Sequence, residues 1–179
     1  MKDLLRQRMG VQEQIIQLLN NQVKMEAQSS ALYLSMAAWC DQNSFDNSAT
    51  FFYNQSNEER DHMLKIFHFI SNMGGVAVSP AISAPRKDFH SLREIFELTL
   101  DSEIAVTESI HQLVEACRKA NDYTTENFLQ WFIAEQVEEE QVARKILDYF
   151  DMIQDAPAGL LMIDERVGKA VAAATTPAE

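Results

Sequence analysis

The stretch QSNEERDHMLKIF, residues 55–67, sets two glutamates and a histidine where a helix buries apolar side chains. Gln55, Glu59, His62 and Ile66 follow one another at spacings of four, three and four, the seam of a packed helix. The seam continues through Phe52, Phe69 and Met73 and stops at Gly74-Gly75, a helix C-terminus signal. The same alternation links Leu19, Val23, Glu26, Ser30, Tyr33 and Ala37, then Leu92, Phe96, Thr99, Glu103, Val106, Ile110, Leu113 and Cys117, then Leu129, Phe132, Gln136, Glu139, Ala143, Ile146 and Phe150. These periods predict helices at about 11–41, 47–73, 91–120 and 124–152, paired as two hairpins.

Between the hairpins lie roughly sixteen residues, Gly74 to His90, with Pro80 and Pro85 and no helical period, too many for a simple turn. A helix of about 28 residues spans roughly 40 Å at ~1.5 Å per residue, and sixteen extended residues reach about 50 Å at ~3.3 Å each. The segment can therefore run the length of a bundle and make the second and third helices parallel. After Pro157, AGLLMIDERVGKAVAAA predicts a short fifth helix at about 158–170, packed on another subunit or on the bundle's end. The tail TTPAE is expected to be disordered. The fold expected is all-α, a single domain over residues 1–179.

Composition agrees: 46% of residues are hydrophobic, with only 5 Gly and 4 Pro, which favours long helices over a turn-rich β fold. The formal charge of −12 disfavours a nucleic-acid partner and favours attraction of cations. No apolar run approaches the ~20 residues that cross a bilayer, so no membrane partner is expected. Cys40 and Cys117 form no C-x-x-C pair, and MKDLLRQRMG lacks a signal peptide's apolar run; a cytoplasmic location is the expectation.

Each seam carries polar residues near its middle, where Leu or Ile would contribute about 1.5–3 kcal/mol of burial apiece. Glu26 precedes Glu59, and Glu103 precedes Gln136, by the same thirty-three residues, and each second member opens an i, i+3 pair: Glu59 with His62, Gln136 with Glu139. Both pairs straddle their turns nearly symmetrically, so they can meet at one level. Buried carboxylates without a partner take up protons, whereas several around a cation support one another. Oxygen-rich ligation with one imidazole suits Fe, Mn or Zn, and carboxylates able to bridge suggest more than one ion.

With these residues the chain resembles the ferritins, more closely the non-haem bacterial ferritins, through SALYLSMAAWC (30–40), NEERDH (57–62), NFLQWFIAEQVEEE (127–140) and GLLMID (159–164). The resemblance implies a ferritin-like four-helix bundle with one long crossover and a short fifth C-terminal helix. Di-iron bundles of this class use a Glu from two helices and Glu-x-x-His from the other two; here the second pair is Gln-x-x-Glu, similar to a ferroxidase centre. The resemblance further implies that Glu26, Glu59 and His62 bind a first iron, that Glu59 and Glu103 bind a second, and that Gln136 hydrogen-bonds at the site. Tyr33 would supply an electron or steady an oxygen species. A third, inward-facing iron site would use Glu58, Glu135, Glu138 and Glu139. No haem is expected, because Arg60 stands where bacterioferritins place their methionine ligand.

The implied activity is oxidation of Fe2+ by O2 or peroxide with storage of ferric mineral, and the implied assembly is a homo-oligomer of twenty-four subunits. A rubrerythrin-like or oxygenase di-iron bundle is the competing enzyme class, disfavoured by the absence of a four-cysteine site. A subunit that nucleates mineral without oxidising iron is the non-catalytic alternative, disfavoured by the intact Glu26, Glu59 and His62. Asp122 and Glu126 read either as lining of an iron-entry channel or as ordinary acidic residues of a helix N-terminus. Glu140 reads as solvated charge, Trp131 as a packing aromatic, and His68, His90 and His111 lack carboxylate partners at ligand spacing.

Overall fold

The computed structural model describes residues 10–153 and 157–174; the start of the chain and the tail TTPAE lie outside the described residues. Five helices follow one another: α1 Glu13–Gln42, α2 Asp46–Asn72, α3 Leu92–Ala120, α4 Tyr123–Met152 and α5 Pro157–Ala174. No strand occurs among the described residues. The four long helices form the bundle, and α5 extends four residues past the end expected from its apolar pattern.

Local chemistry sets several helix ends. Ser91 caps α3 by accepting from Glu94 N at 3.1 Å, while the Glu94 carboxylate accepts from His90 N at 2.6 Å, a variant of the reciprocal capping box. Asn121, with φ 56°, turns the chain out of α3. Gly74 has φ 81° after α2, and Gly75 lies so close to α1 that a Cβ there would stand 2.7 Å from Ile16 Cδ1. This is the reason for a glycine pair rather than one glycine.

The crossover is tied to α1 at both ends. Asn20 bonds the Val76 carbonyl at 3.0 Å and accepts from Val78 N at 2.8 Å, and Ser35 donates to the Arg86 carbonyl at 2.6 Å. From Asn20 to Ser35 is about 22 Å of helix at ~1.5 Å per residue. The segment thus climbs alongside α1 and delivers α3 to the opposite end of the bundle from the one where α2 stops. Helices α2 and α3 are therefore parallel.

The apolar core divides into two clusters. One joins Tyr33, Met36, Phe52, Phe96, Ile146 and Phe150; the other joins Leu19, Val23, Ile66, Ile70, Ile110, Leu129 and Phe132. Between them lies a layer of buried polar side chains: Glu26, Gln55, Glu59, His62, Glu103 and Gln136. Helix α5 closes one end. Ile163 and Val167 enter the first cluster, and Asp164 accepts from Asn47 N at 3.1 Å and Ser48 N at 2.8 Å, capping α2 from a distant part of the chain. Leu161 and Met162 on its other face stay exposed.

Candidate metal centre

Three side chains from the first hairpin converge first. Glu26 from α1 and Glu59 and His62 from α2 bring one ligand atom each within 4.8 Å of one another, all three buried. The α1–α2 spacing that allows this is held one turn away, where Ser30 Oγ donates to the Ser56 carbonyl at 2.7 Å and Ser56 Oγ donates to the Ser30 carbonyl at 2.8 Å. Small side chains let the two helices approach, and their hydroxyls satisfy each other's backbone.

The hydrogen bonding at this cluster is incomplete. Among the described residues, the buried side-chain polar atoms without a partner are Glu26 Oε2, His62 Nδ1 and Trp131 Nε1. His62 Nδ1 stands 3.8 Å from Glu26 Oε2 and 3.5 Å from Glu59 Oε2, too far for a good hydrogen bond. Two atoms sharing one metal ion at about 2.1 Å each can stand up to ~4.2 Å apart, so both separations suit ligands of a common ion. Leaving such groups buried and unpaired costs ~1–3 kcal/mol apiece or more, and a cation removes that cost. The donor set fits iron.

The second hairpin contributes a differently organised half. Tyr33 Oη donates to Glu103 Oε1, and Gln136 Nε2 donates to Glu103 Oε2 at 3.0 Å and to the Glu103 carbonyl at 3.2 Å. Both oxygens of Glu103 are occupied. Glu103 lies outside the three-residue cluster, but its charge is felt there.

Protonation reflects the crowding. Burial, followed by the Glu59 charge, holds Glu26 well above the ordinary carboxyl value. Burial and Glu59 push Glu103 up to about 7, against the Tyr33 and Gln136 hydrogen bonds. Burial and then Glu103 and Glu58 push Glu139 up to about 9. For His62 burial alone would lower the value, but Glu59, Glu58 and Glu135 outweigh it and raise it. These carboxyl groups resist ionising together, as a site built for a cation does when protons stand in for it.

A second grouping places Glu58 and Glu135 within 4.8 Å of His62. Glu139 Oε2 accepts from Gln55 Nε2 at 2.9 Å, and Glu138 is exposed and joins neither grouping. Asp122 uses both oxygens to cap α4, accepting from Thr125 N at 3.0 Å and Thr125 Oγ1 at 2.7 Å, while Glu126 pairs with Arg118 at 2.8 Å. The contacts of Asp122 are those of a helix N-cap, and that of Glu126 is an ion pair across the turn between α3 and α4. Arg60 is exposed. Glu140, read as solvated charge, is partly exposed and pairs with Arg144 at 2.7 Å, and its other oxygen also ties α4 to α3 by accepting from Thr107 at 2.8 Å.

Residues 16–153 match the family model described as a ferritin-like domain. The chain belongs to the ferritin family. A "Bacterial non-heme ferritin" of Campylobacter jejuni is 36% identical over 87% of this chain and 93% of its own length, and one of Staphylococcus aureus is 38% identical over 86% and 93%. Among solved structures, an open-pore ferritin of the hyperthermophilic archaeon Archaeoglobus fulgidus superposes with a TM-score of 0.86 at 35% identity, covering 89% of this chain and 98% of that one.

Some members of this ferritin's polar layer carry no motif signal. Gln22 is fully buried and donates to Glu26 Oε1 at 2.6 Å; its position four residues before Glu26 was the available clue. Ser109, which donates to Gln22 Oε1 at 2.6 Å, sits on another helix and leaves no trace in the local pattern. Trp131 packs its ring 5.3 Å from that of His62, with Lys65 Nζ 3.4 Å from its centre.

Proposed function

We propose that this ferritin oxidises Fe2+ at a di-iron centre inside each subunit and stores the ferric product as mineral within a hollow homo-oligomeric shell of twenty-four subunits in the cytoplasm. Iron is substrate and cargo here. The observation that carries the reading is the pair of orphaned buried atoms, Glu26 Oε2 and His62 Nδ1, facing each other across 3.8 Å beside Glu59.

In this reading Glu26, Glu59 and His62 hold the first Fe2+, and Glu59 and Glu103 hold the second. Each ion gives up one electron; O2 accepts two with two protons and leaves as H2O2, or H2O2 accepts two with two protons and leaves as two water molecules. Gln136 keeps Glu103 oriented. Tyr33 lies in direct contact with Glu103 and can lend an electron when only one Fe2+ is present. Displacement of protons from Glu26 and Glu103 by the metal leaves the carboxylates charged, so binding couples to proton release. Glu58, Glu135, Glu139 and the exposed Glu138 would form a third site toward the interior. The exposed Leu161 and Met162 of α5 are suited to cover by a neighbouring subunit.

The test is to load apoprotein with Fe2+ under anaerobic conditions, admit air, and follow ferric absorbance for the wild type and for His62→Ala, with gel filtration of each. Rapid oxidation by a large assembly, strongly slowed in His62→Ala, is expected. A wild type no faster than buffer removes the ferroxidase reading; one that oxidises iron but elutes as a small species removes the storage shell.

A further inference from the structure

Gln22 lies on α1 one turn before Glu26 and is fully buried. An amide at such a position must have its hydrogen bonds satisfied. Its Nε2 donates to Glu26 Oε1 at 2.6 Å, and its Oε1 accepts from Ser109 Oγ of α3 at 2.6 Å. The direction of the chain follows from the chemistry of its end. Glu26 Oε1 accepts whether the group is ionised or carries its proton on Oε2, so the amide nitrogen faces Glu26, the amide oxygen faces Ser109, and the serine hydroxyl must donate.

This chain has a consequence for the metal centre. Glu26 Oε1 is held by Gln22, and Oε2 is thereby the oxygen left without a partner 3.8 Å from His62 Nδ1. The bracing also crosses between hairpins in both directions: Tyr33 of α1 holds Glu103 of α3, while Ser109 of α3 holds Gln22 of α1.

We infer that Gln22, oriented by Ser109, is a positioning residue that selects which oxygen of Glu26 is presented to the metal and fixes the plane of that carboxylate. The inference rests on the reading of Glu26 as an iron ligand. Gln22 itself touches neither metal nor oxidant. Partners that orient metal ligands typically change affinity by about 10–100-fold when removed, and a neutral hydrogen bond one step further out is worth about fivefold.

The experiment is an anaerobic Co2+ titration of the apoprotein, followed by visible ligand-field absorption, on wild type, Gln22→Met, Ser109→Ala and Ser109→Thr. Methionine keeps the volume of glutamine without its donor. Expected is a loss of Co2+ affinity of about 10–100-fold with an altered spectrum in Gln22→Met, a loss of about fivefold in Ser109→Ala, and recovery of most of that loss in Ser109→Thr, which keeps the hydroxyl. In Fe2+ oxidation the apparent KM should rise more than kcat falls. Wild-type affinity and spectrum in Gln22→Met overturn the inference. If Gln22→Met does not fold, the serine pair decides: equal binding by Ser109→Ala and wild type, or equal loss in Ser109→Ala and Ser109→Thr, overturns it. A wild type that binds no Co2+ contradicts the metal centre itself, a result distinct from failure of the positioning role.

Discussion

Glu26 with His62 and Glu103 with Gln136 occupy the same buried layer, contributed by the two hairpins, yet the first pair has orphaned atoms and the second has none. Before metal arrives, Glu103 already accepts from Tyr33 and Gln136, whereas His62 Nδ1 has carboxylate oxygens at 3.5 and 3.8 Å and a hydrogen bond to neither. A metal ion entering the first half breaks no hydrogen bond of Glu26 Oε2 or His62 Nδ1, displaces only protons, and satisfies orphaned atoms. One entering the second must compete with existing hydrogen bonds. The two halves should therefore fill in order, the first tightly and the second weakly.

The most damaging way to break that ordering is His62→Ala. Removing a ligand of the proposed site should cost more than the ~10–100-fold typical of a supporting residue, so tight Co2+ or Zn2+ binding should disappear in a calorimetric titration. Wild-type protein at a hundredfold excess of Zn2+ over its Kd gains about 2.7 kcal/mol, worth roughly 5–10 °C in Tm for a chain of this size; His62→Ala should gain little. An undiminished shift in the variant would place the tight site elsewhere.

Glu103→Gln sharpens the comparison from the other side. The first equivalent of metal should bind as in wild type, and the second should weaken by about tenfold or more, read as loss of the second phase of a Co2+ titration. If both phases weaken equally, the halves are one unit and the ordering is wrong.

The protonation of the layer predicts an unusual pH dependence for the apoprotein. Glu103 is pushed up to about 7 and Glu139 up to about 9. A carboxyl whose folded value is raised contributes stability that is present below its unfolded value and lost as pH rises through the folded one. Urea midpoints of the apoprotein should therefore fall between about pH 5 and pH 9. Saturating metal, which takes over the charge compensation, should flatten or reverse that slope. A metal-free midpoint that rises steadily over the same range would contradict the burial of these carboxyl groups.

Tyr33→Phe is the mildest change. It removes one donor to Glu103, a loss of ~1 kcal/mol in apoprotein stability, and should slow iron turnover while leaving the first binding phase intact. Stopped-flow oxidation rates equal to wild type would take Tyr33 out of the reaction.

What could be read without coordinates divides along lines of sequence distance. The four-helix bundle and its crossover were legible because burial imposes a period of 3.6 on every long helix, so Glu59 and His62 announce themselves by standing in an apolar seam. Glu26 and Glu103 were legible through the repeated spacing to Glu59 and Gln136. The interactions that complete the layer were not. Ser109 and Gln22 are 87 residues apart, and Asp164 caps α2 from 116 residues away; no local pattern encodes such pairs. Glu140 keeps the charge that a run of three glutamates suggests, paired with Arg144, and its further partner Thr107 on the facing helix is one that the run does not announce. Asp122 likewise has a local use, capping α4, that its acidity alone does not distinguish from a place in a channel.

The most direct measurement is a crystal structure at graded loading with Fe2+ under anaerobic conditions. At the lowest loading, anomalous density should appear first among Glu26 Oε2, Glu59 and His62 Nδ1, with Glu103 still bonded to Tyr33 and Gln136, and only at higher loading between Glu59 and Glu103. Density that appears first at Glu103, or only on exposed carboxylates while Glu26 and His62 remain without a ligand, would contradict the account.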